Sequence, residues 1–467
     1  MSLTSALNAA SSGMTVSSRW AENVSSNIGN ANTEGYARRS IGITAGPNGA
    51  PQVSTIGRAV DTTLDAMYRT EVSRTASQDA VATGLDAYTS LLGDSESGNT
   101  ILTNLTGFQG ALGLLSVSPS DSATQRGAVD AAQGLAVALN RAGDELATTM
   151  TRTNDAIASD VGSVNARIAR LQELNERVAG GLQGEARLAT EDAIGTELDA
   201  LAEVIDFTMR TDAQGRVELF TTGGTELLAG NQGQALRYDA QTGTLFAGAV
   251  EITPGKPGVR GISEGSLAGR ITMASDTLPQ MQAQLDEVAS ALIETMATVD
   301  TSTGGPGLFT DAGAMPGVPY EPGLAARIAV NAAVLPDEGG AVWRIRDGMG
   351  AAQPGNTGDN TLIEDMIDAL DAPVGFDEAA GLGGSATIAT YASTLIAGQN
   401  ATRARAETEA ATLASGAVAV QGTRMSFQGV NVDDELQQLT QIQQSYAANA
   451  QVLQTVAEML DTLIAAA

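Results

Sequence analysis

Apolar residues at both ends of the chain recur at alternating four- and three-residue steps, the spacing of a coiled-coil seam. The N-terminal seam runs through Leu3, Leu7, Ala10, Met14, Ser17, Ala21, Val24 and Ile28. The C-terminal seam runs through Leu439, Ile442, Tyr446, Asn449, Leu453, Val456, Leu460 and Leu463. Because helices in proteins owe most of their stability to packing, each predicted helix needs a partner. That partner is either the other terminus or a neighbouring subunit.

Between the two ends the pattern changes from helical to period two and back again. Helices are predicted at 61–92, 126–188, 190–204 and Leu278–Val299. Strands are predicted at Arg216–Phe220, Leu236–Tyr238, Leu245–Phe246, Val250–Ile252 and Ala326–Val334. Glycine and proline predict loops at Gly304–Gly323 and Gly350–Asn360. Helices are predicted again from Thr361 to the end, with an interruption near Gly381–Gly384.

This order predicts a mainly α protein with a β-rich insertion, which is discontinuous, elongated and multidomain. The terminal helices form a coiled-coil pair in residues 1–45 and 425–467, which we expect to be mobile in the monomer. Residues 46–205 and 271–424 form a central domain of long helices with some β structure. Residues 206–270 form an outer β module.

The formal charge of −29 limits the partners that the chain can bind. Nucleic acid and anionic membrane surfaces would be repelled rather than neutralised. No stretch approaches the roughly 18 apolar residues of a membrane-spanning helix. The first 18 residues have no basic region followed by an apolar core, so they do not form a Sec-type signal peptide. By these criteria alone the default is a soluble cytoplasmic protein.

Catalytic chemistry finds little support in the sequence. The chain contains no histidine and no cysteine, which removes the usual metal ligands, thiol nucleophiles and Ser–His triads. Asp433, Asp434 and Glu435 are better explained as acidic residues at a helix start than as catalytic carboxylates. Trp20 and Trp343 are interpreted as packing residues, the latter in the predicted strand region. We therefore predict no catalytic, metal-binding or cofactor-binding residues.

Two motifs next to the seams carry a family resemblance. The run Asn27-Ile28-Gly29-Asn30-Ala31-Asn32-Thr33-Glu34-Gly35-Tyr36 resembles the "NIANxNTxGY" element of flagellar rod, hook and hook-associated proteins. Gly29 stands where alanine is usual, and Glu34 where proline is common. The run Gly429-Val430-Asn431-Val432-Asp433-Asp434-Glu435-Leu436, followed by Gln443-Gln444-Ser445-Tyr446, resembles the C-terminal "GVNxDEE…QQxY" element of the same proteins.

Further stretches resemble the FlgK-type family, hook-associated protein 1. They are the predicted helix at 61–92, the strand pair in 212–236, the returning segment Gly265–Met296 and the turn Gly358-Asp359-Asn360. The resemblance implies a ring of subunits at the junction of hook and filament, with the terminal helices forming an inner tube. It implies contacts with other copies, the hook protein, the next hook-associated protein and an export chaperone that holds the C-terminal helix.

The resemblance also implies export by the flagellar type III system without a cleaved signal peptide, and hence an extracellular location in the flagellum. The expected assembly residues belong to the two seams and the two motifs. They are Leu3, Leu7, Met14, Val24, Asn27, Ile28, Asn30, Thr33, Gly35, Tyr36, Val430, Asn431, Leu439, Ile442, Tyr446, Leu453, Val456, Leu460 and Leu463.

Three alternative functions stay open at this point. A flagellar hook or distal rod protein has similar end motifs, but its central region is usually dominated by β structure. An extracellular enzyme or adhesin on a flagellar scaffold is a different class, although the scarcity of aromatic residues, 3%, argues against a carbohydrate-binding β module. A cytoplasmic coiled-coil scaffold would be retained in the cell.

Overall fold

A computed structural model describes residues 3–46, 49–93 and 99–466, which are mostly helical with small antiparallel sheets. The helices are α1 (Leu3–Gly29), α2 (Thr62–Gly93), α3 (Ile101–Val117), α4 (Ser122–Ala179), α5 (Glu185–Ala202), α6 (Ser266–Thr272), α7 (Leu278–Val299), α8 (Leu324–Arg327), α9 (Arg344–Asp347), α10 (Thr361–Asp371), α11 (Ile388–Gln428) and α12 (Val432–Ala466). A π-helical segment, Met273–Thr277, joins α6 to α7, and 3-10 turns lie at Ala332–Val334, Pro336–Glu338 and Glu378–Ala380.

The strands form five small sheets in the described residues. They are β1 (Arg39–Ala45), β2 (Pro51–Arg58), β3 (Phe207–Thr211), β4 (Val217–Thr221), β5 (Glu226–Ala229), β6 (Gln232–Gly233), β7 (Leu236–Asp239), β8 (Thr244–Ala247), β9 (Val250–Glu251), β10 (Phe309–Asp311), β11 (Ile328–Val330), β12 (Val374–Phe376) and β13 (Gly384–Ala386). The pairs β1–β2, β10–β11 and β12–β13 stand alone, whereas β3–β4–β5–β6 and β7–β8–β9 form larger sheets.

The larger hydrophobic core lies among α2, α3, the N-terminal half of α4, α7, α10 and α11. Phe108 of α3 is fully buried there and meets Phe309 of β10 edge to face. Helices α2 and α11 also contact each other: the hydroxyl of Tyr88 donates to Gln399 at 2.7 Å near one end, and Arg424 pairs with Asp65 near the other.

The 58-residue helix α4 connects this core to a second one. Its C-terminal half buries Ile168, Leu171 and Leu174 against α5, α6 and the two larger sheets. Two asparagines on α4 pair with strand backbone: Asn175 accepts from the amide of Val217 and Asn165 accepts from the amide of Leu236. The β strands at 207–251 are therefore fixed on one long helix.

Most predicted elements between the termini are present. The predicted helix at 61–92 corresponds to α2, and Leu278–Val299 is the extent of α7. The predicted strands Arg216–Phe220, Leu236–Tyr238, Leu245–Phe246 and Val250–Ile252 correspond to β4, β7, β8 and β9. The strands therefore follow the period-two pattern of the sequence closely.

Four expectations need correction. The predicted helix 126–188 is two helices, because α4 ends at Ala179 and Gly184, with a φ of 62°, precedes α5. The predicted loop Gly304–Gly323 contains β10, which pairs with β11. Of the predicted strand Ala326–Val334, Ile328–Val330 is extended, since α8 precedes it and a 3-10 turn follows. Trp343 lies at the N-cap of α9 rather than in a strand.

A half-buried acid, Glu264, gives a pH-dependent prediction. Burial raises the pKa of Glu264 above its usual value, and the neighbouring Asp206 adds to the shift. The folded protein therefore binds this proton more tightly than the unfolded chain, and stability is lost as the pH rises through the folded-state pKa. We expect Glu264→Gln to unfold at higher urea concentration than the unchanged protein at pH 7, with no difference at pH 3.5. An equal midpoint difference at both pH values would contradict this explanation.

Candidate assembly site: the paired terminal helices

Helices α1 and α12 pack against each other in antiparallel orientation. Trp20 Nε1 on α1 donates to Gln438 Oε1 on α12 at 3.3 Å, whereas Gly13 lies beside Asn449, farther along both helices. A Cβ atom on Gly13 would lie 2.7 Å from the amide of Asn449, so the glycine makes room for this polar side chain. An asparagine at a seam position is a known device for fixing the register of paired helices.

The structure buries part of the predicted seam between the two helices. Val24, Ile442 and Val456 are buried, with 0%, 3% and 6% of their surface exposed. Half-buried positions are Leu3, Leu7, Met14, Ile28, Leu439 and Leu453. These predicted seam residues are therefore at least half-buried in the structure.

Three predicted seam residues lie outside this contact. Tyr446, Leu460 and Leu463 are exposed by 48%, 38% and 56%. For the last two the reason is length, because α12 has 35 residues and α1 has 27. With Trp20 opposite Gln438 and Gly13 opposite Asn449, the antiparallel arrangement carries α12 from Leu460 onward past Leu3. We call this segment, Leu460–Ala466, the overhang.

The N-terminal motif folds into one hydrogen-bonded turn after α1. Asn27 is fully buried, and its Oδ1 accepts from the backbone amide of Arg39 at 2.8 Å and from the hydroxyl of Tyr36 at 2.9 Å. Asn30 Nδ2 donates to the carbonyl of Ser26, and the hydroxyl of Thr33 donates to Asn30 Oδ1. These four predicted residues are thus brought together by side-chain hydrogen bonds.

Two glycines of this turn have different roles. Gly35 has a φ of 76°, and a Cβ there would lie 2.2 Å from the hydroxyl oxygen of Thr196, so a larger residue is excluded. A Cβ at Gly29 would meet no atom within 4 Å, so alanine would fit there equally well. The departure from the usual motif at Gly29 therefore leaves the turn unchanged.

The C-terminal motif forms the connection between α11 and α12. Val430 is half-buried, whereas Asn431 is exposed and its Oδ1 accepts from the amide of Asp433 in the first turn of α12. The acidic residues Asp433, Asp434 and Glu435 lie in this first turn, where the helix dipole favours negative charge. Their placement agrees with the helix-start interpretation.

Five further large apolar residues of α12 lie outside the predicted seam. Val432, Leu436, Val452, Met459 and Ile464 expose between 40% and 74% of their surface to solvent. Large apolar residues exposed in a group are typical of an interaction surface. At 3.6 residues per turn they lie on several faces of the helix, so no single periodic pattern marks them in the sequence.

Neither a metal-binding cluster nor a membrane-spanning helix is found among the described residues. Among residues 3–46, 49–93 and 99–466, no group of three or more acidic side chains is placed to hold a metal ion. No helix in these same ranges combines the length and the apolar character needed to cross a membrane.

Comparison with known proteins agrees with this arrangement. Residues 85–306 match the family model of the flagellar hook-associated protein FlgK helical domain. Residues 421–466 match that of the flagellar basal body rod FlgEFG protein C-terminal region. The chain is therefore a flagellar structural protein of the hook-associated class.

Similar proteins define the family within this class. Flagellar hook-associated protein 1 of Escherichia coli K12 is 22% identical, in an alignment over 99% of this chain and 100% of that protein. Its namesake in Bacillus subtilis 168 is 23% identical over 94% of this chain and 93% of that protein. Together with the two family models, these alignments support the FlgK-type family, hook-associated protein 1, as the family of this chain.

A solved structure is also similar in part. It is the flagellar hook junction protein FlgK from Burkholderia pseudomallei, with 20% identity and a TM-score of 0.46. The match covers 52% of this chain and 46% of that one.

Proposed function

We propose that the chain is a structural adaptor that assembles as a ring between hook and filament and provides the surface on which the filament starts. The observation that carries this proposal is the number of large apolar side chains that α12 leaves exposed, such as Leu436, Met459 and Ile464. A surface of this kind in a flagellar protein is explained by contact with neighbouring subunits. We propose no catalytic role.

The terminal helices are the proposed assembly domain, in residues 1–45 and 425–467. Their contact through alternating seam positions is proposed to be a coiled-coil pair, and in the ring such pairs line an inner tube. We propose that these ends are mobile in the isolated protein and become ordered on assembly. The long helices of 46–205 and 271–424 and the β module of 206–270 would then lie outside the tube.

The proposed partners follow from the same surfaces. Other copies contact the terminal pair, while the hook protein and the next hook-associated protein contact the two sides of the ring. Before export an apolar helix needs a cover, so we propose that a flagellar export chaperone holds α12 in the cytoplasm. Export through the flagellar type III system without a cleaved signal peptide would then place the protein at the hook–filament junction. Nucleic acid and membranes are not proposed partners.

The alternatives are less well supported. The C-terminal family match is shared with rod and hook proteins, so it does not distinguish them from the adaptor. The match to the helical domain and the alignments over nearly the whole chain favour the adaptor over a hook or distal rod protein. Neither an extracellular adhesin or enzyme nor a cytoplasmic scaffold explains those matches.

Deletion of the gene tests the proposal. We expect cells that carry bare hooks by electron microscopy and shed unpolymerised flagellin into the medium, because filament growth lacks its starting surface. A copy of the gene supplied on a plasmid should restore filaments. Normal filaments on the deletion strain would overturn the adaptor role, and loss of the hooks themselves would point instead to a hook or rod component.

A further inference from the structure

Two carboxylates on α5 occupy one face of the helix. Asp192 and Asp199 are seven residues apart, which is close to two helical turns, so both point the same way. Each carboxylate binds two different arginines, one with each of its oxygens. In each case one of the two arginines belongs to a segment that connects the body to the terminal helices.

Asp192 holds the N-terminal connection. Its Oδ2 lies 2.6 Å from Nη2 of Arg39, which follows the turn after α1, and its Oδ1 lies 2.7 Å from Nε of Arg58 in β2. The Arg39 side chain is only 1% exposed, so solvent screens this pair little. Glu185, at the start of α5, adds a longer contact of 3.4 Å to Arg39.

Asp199 holds the C-terminal connection. Its Oδ2 lies 2.7 Å from Nη1 of Arg424, in the last turns of α11, and its Oδ1 lies 2.7 Å from Nε of Arg69 in α2. Arg424 is 9% exposed, and its Nε also contacts Asp65 Oδ1 at 2.6 Å. The guanidinium group stacks over the ring of Tyr68 at 4.9 Å.

The two connections also contact each other. The amide of Arg38 donates to the carbonyl of Gln428 at 2.8 Å. The two segments that lead to the terminal helices therefore contact each other at Arg38 and Gln428, and both also contact α5.

We propose that Asp192 and Asp199 of α5 form a two-point ionic clasp that holds both connections of the terminal helices to the body. The clasp sets the inner limit of the terminal segments at Arg39, which lies inside the range 1–45 proposed above, and at Arg424, which directly precedes the range 425–467. The terminal helices can then gain or lose order while the two exit points and the body stay fixed. This device does not depend on which partners the terminal helices bind.

Hydrogen exchange of the full-length isolated protein, followed by mass spectrometry, tests the clasp. In the unchanged protein we expect slow exchange in peptides covering 36–41 and 424–428. Asp192→Asn should accelerate exchange in the first peptide and Asp199→Asn in the second, each by about tenfold or more, since hydrogen bonds to charged groups are lost. Peptides from α7 should be unchanged in both variants.

Glu191→Gln is the matched control. It removes one negative charge from the same helix, but its partner is Arg187 on the helix surface and neither connection is involved. If Asp192→Asn fails to fold, Arg58→Gln is used in its place. It should accelerate hydrogen exchange in the peptide covering 36–41, by a smaller factor. Fast exchange of both peptides in the unchanged protein, or equal effects of Glu191→Gln and the aspartate variants, would overturn the clasp. Filament assembly is not measured, so this outcome is independent of the adaptor proposal.

Discussion

Cells that produce the double variant Ile442→Asp, Val456→Asp are expected to form no filaments and to be as immotile as the deletion strain. Both side chains are almost fully buried between α12 and α1. An unpaired carboxylate at such a position loses its hydration without gaining a partner, at a cost of several kcal/mol. The terminal pair should therefore separate, while the body, whose cores do not include α12, keeps its thermal unfolding transition.

The control for this experiment exchanges the two apolar residues, as Ile442→Val with Val456→Ile. The total volume and apolar character are unchanged, and swaps of this kind are usually tolerated. We expect normal filaments by electron microscopy and normal swimming in soft agar. Wild-type motility of the aspartate variant would show that the α1–α12 contact is dispensable for the function of the protein.

Replacing Arg424 with methionine should lower the free energy of unfolding by about 3 kcal/mol, the scale observed when one partner of a buried ion pair is removed. Arg424 bridges Asp65 of α2 and Asp199 of α5, so its loss leaves the Asp65 carboxylate without its ionic partner. Urea unfolding followed by circular dichroism measures the change.

Arg403→Met on the same helix provides the comparison. Arg403 pairs with Asp86 and Glu407, whose side chains are 63% and 64% exposed, and exposed pairs of this kind contribute less than about 1 kcal/mol. A change as large as that of Arg424→Met would mean that helix α11 is sensitive to any lost charge. The distinction between the buried clasp and surface pairs would then be wrong.

The sequence predicts the two terminal helices because the signal for a helix is local. A seam such as Leu439, Ile442 and Leu453 repeats within one helix, and a helix exposes that repeat along one face whatever lies opposite. The same reasoning did not predict that the overhang is exposed. Leu460 and Leu463 continue the repeat, but they lie beyond the described end of the partner helix. Periodicity identifies an apolar face but not the extent of its partner.

The parts that the sequence did not predict depend on distant contacts. Asp192 and Asp199 look like ordinary surface acids, and their partners Arg39 and Arg424 are 153 and 225 residues away.

Helix α3 was missed because three glycines weaken its helical signal, and it is held by burial of side chains such as Phe108 in the larger core. The β1–β2 pair was missed because its strands bury almost no side chains fully, so they carry no clear alternation of apolar and polar residues.

The unequal lengths of α1 and α12 give the terminal pair two unlike ends. One end joins the body, and the other carries the overhang, whose seven residues span roughly 10 Å at the usual helical rise. A contact that covers the overhang of one copy with a different surface of the next is head-to-tail rather than self-complementary. Head-to-tail contacts close into rings or continue as helices, so a contact of this kind would arrange all copies in one direction.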